Sequence, residues 1–362
     1  MIVLRTELWF RREHDTKGMI MNLTELLQSI CCSFLNEEPV SVETLEEGHI
    51  NDTYLVKTGS GKYVLQRLQR KMPPERLINN YKLYAPVFEA HGFLYPKWLR
   101  DEAGEYFHTD GKGDRWRMYP YIEGEVLHAP LTREQLLACG QGLARVHRLL
   151  SELSGTPQAV YPILHDIDYY YERYLTLLKS GDIIEENRDP SVEAQLAERI
   201  GPFLSRRADC SEGAREEGTA LKENITPADD IAIIHGDAKL SNMLFRNGQV
   251  VGMLDLDTVM AGSVTEELAD CIRSCCESRG SFDREAAEFL AEGYRRGETA
   301  DVLAEGYQTG AASHLPQAFN KIHLELALRY YTDAISKEKH FKEKYPGYRL
   351  TRVRELLGIT WR

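Results

Sequence analysis

The chain lacks any run of apolar residues long enough to cross a bilayer. A transmembrane helix needs about 20 consecutive apolar residues, and no segment of the 362-residue sequence approaches that length. The chain also lacks an excess of basic residues, since 44 Lys and Arg stand against 56 Asp and Glu, for a net charge of -12. Nucleic-acid-binding domains usually carry a basic face. We therefore expect neither a membrane span nor a nucleic-acid partner, and an acidic surface that suits neutral or cationic small molecules.

The seven cysteines lack the spacing of a metal site. Cys31–Cys32 and Cys275–Cys276 are adjacent pairs, Cys271 lies one helical turn before the second pair, and no CxxC motif is present. Residues 1–18 are charged throughout and lack the apolar centre of a secretion signal. We therefore expect a cytoplasmic protein whose thiols are reduced and buried as small apolar groups.

Residues 22–122 have the pattern of a small lobe rich in strands. They follow residues 1–21, which we expect to be a poorly ordered extension. Apolar residues at helical spacing predict a helix over 22–36, and a second helix is predicted over 74–91. The glycine-containing stretch 59–62 is typical of a tight turn between two strands. Strands are predicted at 42–45, 53–57, 63–67, 95–99, 106–108 and 116–122.

Residues 123–362 have mainly helical periodicity and form a larger predicted lobe. The pattern predicts helices at 135–150, at 169–178 and from 266 onward, and short apolar strands at 231–234 and 250–254. The fold class is therefore α+β, with a smaller β-rich lobe and a larger α-rich lobe joined near 119–125. A cleft between two such lobes is a common place for a ligand.

Polar side chains lie at the ends of two short apolar strands in the larger lobe. The first stretch reads IHGDAKLSNMLF from Ile234, the second reads VVGMLDLDT from Val250, and the Asn-Gly turn between them is a strong hairpin signal. The hairpin brings together the four candidate groups Asp237, Asn242, Asp255 and Asp257.

This set of groups suits phosphoryl transfer, in which the protein positions the acceptor hydroxyl and neutralises charge on the phosphate. Asp237 fits the carboxylate that accepts the hydroxyl proton. Asn242 and Asp255 supply the oxygen ligands that Mg²⁺ prefers, and His235 is expected to hold the loop through hydrogen bonds. The competing interpretation is a simple turn followed by solvated acids, which a lone HGD would favour.

The pattern HGDxxxxN, followed by an apolar strand that ends in aspartate, resembles the aminoglycoside phosphotransferase and choline kinase superfamily. The resemblance covers about residues 40 to 355 and implies a protein-kinase-like fold that uses ATP and Mg²⁺. It implies that Asp237 is the catalytic base and that Asn242 and Asp255 bind the metal. Glu267, Asp270 and Arg273 follow on a predicted helix, where we expect them to support the site, the alternative being a solvated helix surface.

A closer resemblance is to the N-acetylhexosamine 1-kinases, which phosphorylate the anomeric hydroxyl of GlcNAc and GalNAc. It rests on GHINDTYLV at 48–56, DLDTVM at 255–260, WR at 116–117, LRY at 328–330 and KYP at 344–346. The resemblance implies that the sugar is contacted by His49, Trp116, Asp257 and Arg329.

The nucleotide side of the predicted cleft departs from the usual kinase pattern. Gln66 occupies the place of the lysine on the third strand, and the helix at 74–91 offers no glutamate near Asn80 to pair with it. The loop before the second strand has one glycine rather than the GxGxxG pattern. We predict nucleotide contacts from Gly48, Asn51, Thr53, Gln66, Tyr119 and Tyr121, the last two through the backbone between the lobes.

Alternatives for the function stay open. The acceptor could be an amino alcohol, a homoserine-like compound or an aminoglycoside, although the cationic Arg329 disfavours a cationic acceptor. A non-catalytic nucleotide-binding protein of the same fold is a further alternative, supported by the missing lysine–glutamate pair. The expected partner is a small-molecule acceptor, and the expected assembly is a monomer or homodimer.

Overall fold

A five-stranded antiparallel sheet forms the N-terminal lobe. A computed structural model describes residues 23–45, 52–204, 230–278, 280–298, 311–339, 341 and 343–361. The strands of the sheet are β1 (Ser41–Leu45), β2 (Asp52–Lys57), β3 (Lys62–Arg67), β4 (His108–Thr109) and β5 (Arg115–Pro120), in the order β1–β2–β3–β5–β4. This confirms the predicted β-rich lobe. The predicted extension at 1–21 and the predicted contacts Gly48, His49 and Asn51 lie outside the described residues.

The two faces of this sheet carry different side chains because residues alternate along each strand. Leu65 of β3 and Trp116 of β5 are fully buried on the face that packs against helix α1 (Leu23–Leu35). Gln66 and Arg117 are cross-strand neighbours one position later, so they lie on the opposite face. Apolar packing on the α1 face, at about 1.5–3 kcal/mol for each fully buried large side chain, therefore fixes which residues of β3 and β5 face the cleft.

The segment after helix α2 (Pro74–Ala90) corrects one predicted strand. The structure shows no regular strand over 95–99, only an isolated bridge from Leu94 to Gly252. Tyr95 and Trp98 are buried there, and Trp98 stacks on a tyrosine of α2 with ring centroids 4.3 Å apart. The apolar pattern that predicted a strand thus reflects aromatic packing.

Backbone hydrogen bonds fix a hairpin of the larger lobe to the segment that follows α2 in the small lobe. The hairpin consists of β7 (Met243–Arg246) and β8 (Gln249–Met253), with the predicted Asn-Gly turn at its tip. Leu94 donates to the Val251 carbonyl at 2.9 Å and accepts from Met253 at 3.0 Å. A Cβ on Gly252 would lie 2.4 Å from the Leu94 carbonyl oxygen, so this approach requires glycine.

Helices dominate the rest of the larger lobe. They are α3 (Arg133–Ser151), α4 (Ile167–Ser180), α5 (Pro190–Ile200), α6 (Val264–Cys276), α7 (Arg284–Glu298), α8 (Ala311–Ile335) and α9 (Tyr348–Gly358). Short strand pairs join β6 (Ile231–Ile234) to β9 (Met260–Ser263), and β10 (Glu277–Ser278) to β11 (Ser281–Phe282). One core runs from α2 through α3 to α6 and α7 and so spans both lobes, while a second joins α4, α5, α8 and α9.

The remaining predictions from composition concern the thiols and the membrane. In the described parts of the chain the cysteines are free thiols, and all but the half-buried Cys32 are buried, as expected of small apolar groups. Over the same residues, no helix has both the length and the apolar character that a bilayer span requires.

Candidate active site

A buried glutamate holds the loop that follows β6. Glu267 of α6 is 1% exposed and accepts hydrogen bonds from the backbone N–H groups of His235, at 3.1 Å, and Gly236. Its carboxylate also pairs with the ring of His147, whose other nitrogen is 2.7 Å from the Tyr294 hydroxyl. Burial alone would raise the pKa of Glu267, but the His147 contact and the backbone donor of Gly236 hold it below its usual value.

Removing the charge of Glu267 is expected to destabilise the protein and the loop together. In Glu267→Gln an amide N–H₂ replaces an acceptor that serves backbone donors, which leaves buried polar groups unpaired. We expect a loss of about 2–4 kcal/mol in the free energy of unfolding, measured by urea denaturation. The control is Glu288→Gln at a side chain that is 61% exposed, with an expected change within about 0.5 kcal/mol. Equal stability of both variants would contradict the role of Glu267.

The sharp bend of the same loop depends on a glycine. Gly236 has φ of +85°, in the left-handed region. A Cβ at this position would lie 2.4 Å from the carbonyl oxygen of Thr258. The Thr258 hydroxyl donates to the carbonyl of His235 at 2.8 Å, so the loop and the segment after β8 are in direct contact.

His235 connects the loop to the end of β8. The ring is fully buried, its Nε2 lies 2.9 Å from the Leu254 carbonyl oxygen, and its Nδ1 accepts from the Asp237 N–H at 3.2 Å. This pattern requires the neutral ring with its hydrogen on Nε2, in agreement with the lowering of the His235 pKa by burial. The structure thus places His235 where the sequence predicted a supporting residue.

Asp237 and Asn242 are in contact at the mouth of the loop. The Asn242 amide nitrogen donates to the Asp237 carbonyl oxygen at 2.8 Å and to its Oδ2 at 3.1 Å. Because the nitrogen is committed to Asp237, the Asn242 Oδ1 is the atom that can face a metal ion. The Asp237 carboxylate is 23% exposed, which leaves it accessible to a ligand.

Lys239 is a member of the site that sequence reasoning missed. Its ammonium forms an ion pair with Asp237 Oδ2. Burial would lower the pKa of Lys239, but the adjacent Asp237 carboxylate raises it above its usual value. The signal was present in the sequence, because a lysine two positions after a candidate base can reach the same substrate atoms.

Asp255 completes an acidic centre at the end of β8. Its backbone adopts the left-handed conformation, with φ of 57° and ψ of 56°. Burial, and then the charges of Asp257 and Asp237, raise the pKa of Asp255 to about 7. The Leu254 N–H donates to the Asn242 carbonyl at 2.8 Å and so aligns the two candidate metal ligands.

The donor set fits a magnesium ion that keeps several water or phosphate ligands. No group of three or more His, Cys, Asp or Glu with metal-binding geometry occurs among the described residues. A site of one carboxylate and one amide oxygen needs no such group, since Mg²⁺ is often held by one or two protein carboxylates and substrate phosphates. Burial, followed by the charges of Asp257 and Asp237, raises the pKa of Asp255, and a bound cation would stabilise its ionised form.

Asp257 binds an arginine of the small lobe. Arg117 and Asp257 are each 3% exposed and form a bidentate ion pair, with N–O distances of 2.6 and 2.8 Å. Both carboxylate oxygens therefore accept from Arg117. Asp257 also lines a pocket with Asp255, and its predicted sugar contact stays a prediction. The Nε of Arg117 also donates to Gln66 Oε1 at 2.9 Å, and the Gln66 amide nitrogen donates to the Thr53 hydroxyl at 3.2 Å.

The predicted sugar contact of Trp116 is wrong. Trp116 has no exposed surface, and its indole N–H donates to Asp110 at 3.0 Å on the α1 side of the sheet. The prediction identified the correct strand but the wrong face, because Arg117 is the neighbour that points to the cleft.

Two other predicted side chains, Arg329 and Asp270, have partners within the larger lobe. Arg329 of α8 stacks over Tyr170, 4.8 Å from the ring centroid, and lies 3.6 Å from a carboxylate oxygen of Glu325. Asp270 is buried and accepts from the Arg273 Nε at 2.8 Å, as expected for a supporting pair. Burial would lower the pKa of Arg273, but the charges of Asp270 and Asp237 help to raise it above its usual value.

The two predicted tyrosines lie where the small lobe meets the larger one. Tyr119 is buried and lines a small polar pocket together with Gln66, Arg117, Asp255 and Asp257. The Tyr121 N–H donates to the Lys62 carbonyl at 2.9 Å. That N–H is therefore committed within the protein.

Comparison with known proteins agrees with this architecture. Residues 41–302 match APH, the phosphotransferase enzyme family. The chain is 23% identical over 257 residues to a homoserine kinase of Phenylobacterium zucineum (strain HLK1), and the alignment covers 71% of each protein.

Two solved kinase structures have a similar fold. One is amicoumacin kinase in complex with AMP-PNP, Ca²⁺ and Ami, with a TM-score of 0.59 and 14% identity, over 93% of this chain and 94% of that one. The other is choline kinase from Cryptosporidium parvum, with a TM-score of 0.58 and 16% identity, over 92% and 94%. At such identities these structures show the fold alone, and they confirm the predicted protein-kinase-like architecture.

Proposed function

The chain belongs to the phosphotransferase enzyme family and is a small-molecule phosphotransferase with a hydroxyl acceptor, and from this premise we propose that it transfers the γ-phosphate of ATP with Mg²⁺. The observation that carries the proposal is the convergence of Asp237, Asn242 and Asp255 on one loop and hairpin, with Lys239 beside them. A non-catalytic binding protein would not require a base together with two metal ligands.

Each residue has a separate role in the proposed reaction. Asp237 orients the acceptor hydroxyl and accepts its proton as the oxygen bonds to the γ-phosphorus of ATP. The bond from that phosphorus to the bridging oxygen breaks, and ADP leaves. Asn242 Oδ1 and an Asp255 oxygen hold the magnesium ion, which supplies charge neutralisation at the phosphate oxygens. Glu267 and His235 keep the loop in place, because they bind its backbone and the end of β8.

The nucleotide lies in the cleft in this proposal. Thr53 and Gln66 of the sheet face the phosphates, and Tyr119 and Tyr121 adjoin the base. The Tyr121 N–H is bound to Lys62, so its contribution comes from the ring or the carbonyl. A kinase of this fold in complex with AMP-PNP and Ca²⁺, and a phosphotransferase of this fold in complex with ADP, support the choice of ATP and a metal.

Lys239 is proposed to move from Asp237 to the transferred phosphate when nucleotide binds. Lys239→Met is expected to lower kcat about 10- to 100-fold, because it removes a cation from a charged transition state. A coupled assay for ADP release with the best acceptor measures this. Lys97→Met, at a side chain that is 54% exposed, serves as the matched control with an expected change below about twofold. An unchanged kcat in Lys239→Met would remove Lys239 from the mechanism.

The acceptor is proposed to be an N-acetylhexosamine, phosphorylated at its anomeric hydroxyl. The proposal rests on the resemblance of segments 48–56, 255–260 and 344–346 to the N-acetylhexosamine 1-kinases. It is also supported by Arg329, whose guanidinium can donate to an acetamido oxygen or a hydroxyl. The burial of Trp116 leaves His49, Asp257 and Arg329 as the proposed sugar contacts.

A homoserine-like or amino-alcohol acceptor is the second candidate. It is favoured by the similarity to a homoserine kinase and to a structure of an aminopropanol kinase, which has a TM-score of 0.59 and 14% identity. Glu325 beside Arg329 adds a carboxylate that could bind an ammonium group, since its Oε2 is buried without a hydrogen-bond partner among the described residues.

An acceptor panel separates these candidates. ADP release is measured with Mg·ATP and GlcNAc, GalNAc, homoserine, 1-amino-2-propanol, choline or an aminoglycoside. The sugar proposal predicts turnover with GlcNAc or GalNAc, loss of the signal with the 1-O-methyl glycoside, and a sugar 1-phosphate by ³¹P NMR. Turnover confined to homoserine or the amino alcohols would overturn the proposal of a sugar acceptor, but it would support the proposed kinase activity.

A further inference from the structure

Among the described residues of the small lobe, no lysine–glutamate pair occupies the position where protein-kinase-like sites have one. Gln66 of β3 occupies the place of the lysine. Helix α2 presents the buried rings of Tyr81 and Tyr84 instead of a carboxylate. That pair normally connects the sheet to the phosphates and to the rest of the catalytic centre, so another group must make the connection in this protein.

Arg117 and Asp257 make such a connection between the lobes. Arg117 is on β5, directly across from Gln66, and Asp257 is two residues after the candidate metal ligand Asp255. The pair is separated by 140 residues in sequence, and both its members are 3% exposed. It therefore binds the sheet of the small lobe to the segment that carries Asp255.

The contact continues from the ion pair to the phosphate side of the sheet. The Arg117 Nε donates to Gln66 Oε1 at 2.9 Å, which turns the amide so that its nitrogen faces β2. That nitrogen donates one hydrogen to the Thr53 hydroxyl at 3.2 Å. The amide group has a second hydrogen, which can serve a phosphate oxygen.

We propose that the Arg117–Asp257 ion pair replaces the missing lysine–glutamate pair, with Arg117 as a positioning residue that sets both Gln66 and the Asp255 segment for the nucleotide phosphates. The inference rests on the proposed use of ATP. A buried ion pair adds little net stability compared with apolar residues of similar volume. The stability of the fold therefore does not by itself require these two charges at the wall of the cleft.

The variant Arg117→Lys separates the effect of the hydrogen-bond geometry of Arg117 from the effect of its positive charge. Lysine keeps the positive charge opposite Asp257 but cannot form two parallel bonds to the carboxylate and a third to Gln66. We expect the dissociation constant for Mg·AMP-PNP, measured by isothermal titration calorimetry, to rise about tenfold. We also expect KM for ATP to rise more than kcat falls.

Arg67→Lys is the matched control. Arg67 is on the same pair of strands but on the α1 face, where it binds Asp52. The Arg67→Lys variant is expected to keep the dissociation constant for Mg·AMP-PNP and the melting temperature near the wild-type values. An Arg117→Lys variant with wild-type affinity, or an equal loss of affinity in Arg67→Lys, would overturn the proposed link.

A second variant covers the case in which Arg117→Lys does not fold. Arg117→Met combined with Asp257→Leu replaces the ion pair by apolar residues, which is expected to preserve folding. The proposal predicts at least tenfold weaker binding of Mg·AMP-PNP by this folded double variant, and wild-type affinity would overturn it. If the wild-type protein itself does not bind Mg·AMP-PNP, the proposed use of ATP fails and the link fails with it, whereas wild-type binding with unaffected variants removes the link alone.

Discussion

Asp237→Asn is expected to lower kcat about 10³-fold while the affinity for Mg·ATP stays near that of the wild type. The asparagine keeps the size of the side chain and its contact with Asn242, so the loop should stay in place. It cannot accept the proton of the acceptor hydroxyl, and a positioned base contributes about 10²–10⁴ to the rate. The reduction in kcat/KM should therefore equal the reduction in kcat.

The control for this variant is another aspartate of the same lobe. Asp182→Asn changes a side chain that is 74% exposed and pairs with Lys337, and it should leave kcat unchanged. Stopped-flow measurements of ADP release under saturating nucleotide separate the chemical step from product release. If Asp237→Asn keeps more than about a tenth of wild-type kcat, Asp237 is not the base.

Asp255→Asn is expected to abolish Mg²⁺-dependent nucleotide binding and yet to stabilise the nucleotide-free protein. The loss of binding follows because the variant replaces the one carboxylate of the proposed metal site. The gain in stability follows from the pKa of Asp255, which burial and the neighbouring Asp257 and Asp237 raise to about 7 in the folded state.

The sign of the pH effect is fixed by this shift. The unfolded side chain titrates near ~3.9, so the folded state binds more protons between about pH 4 and pH 7. The contribution of Asp255 to the free energy of unfolding is therefore fully present at low pH and is lost as the pH rises to 7. We expect Asp255→Asn to exceed the wild type by about 1–2 kcal/mol at pH 8 and to match it near pH 4.

Urea denaturation at the two pH values, with and without Mg·AMP-PNP, measures both parts of this prediction. Mg·AMP-PNP should raise the stability of the wild type and of Asp237→Asn, but not that of Asp255→Asn. Stabilisation of Asp255→Asn by Mg·AMP-PNP to the same degree as the wild type would exclude Asp255 as a metal ligand.

The parts of the fold that depend on local sequence could be predicted. The β7–β8 hairpin followed from an Asn-Gly turn between apolar runs, and both turn residues have positive φ as such a turn requires. The loop at Gly236 and the contact of Asp237 with Asn242 followed from the spacing of the motif. These features involve residues within a few positions of one another.

The parts that depend on long-range contacts could not be predicted. The pairing of Arg117 with Asp257 joins residues 140 positions apart, and no local pattern specifies it. The same holds for Glu267 and His147, which are 120 positions apart. The sugar contact of Trp116 came from the resemblance to the N-acetylhexosamine 1-kinases. Period-two alternation could not correct it, because alternation does not by itself show which face of a sheet is covered by a helix.

The most direct test of the central claim is acceptor-dependent ADP release by the intact chain, first with Mg²⁺ and then after chelation by EDTA. If Asp237, Asn242 and Asp255 form a phosphotransfer centre, at least one small hydroxyl compound of the panel gives ADP release that stops with EDTA and resumes when excess Mg²⁺ is added. Tight binding of ATP without ADP release for any acceptor, or release that continues unchanged in EDTA, would contradict the claim.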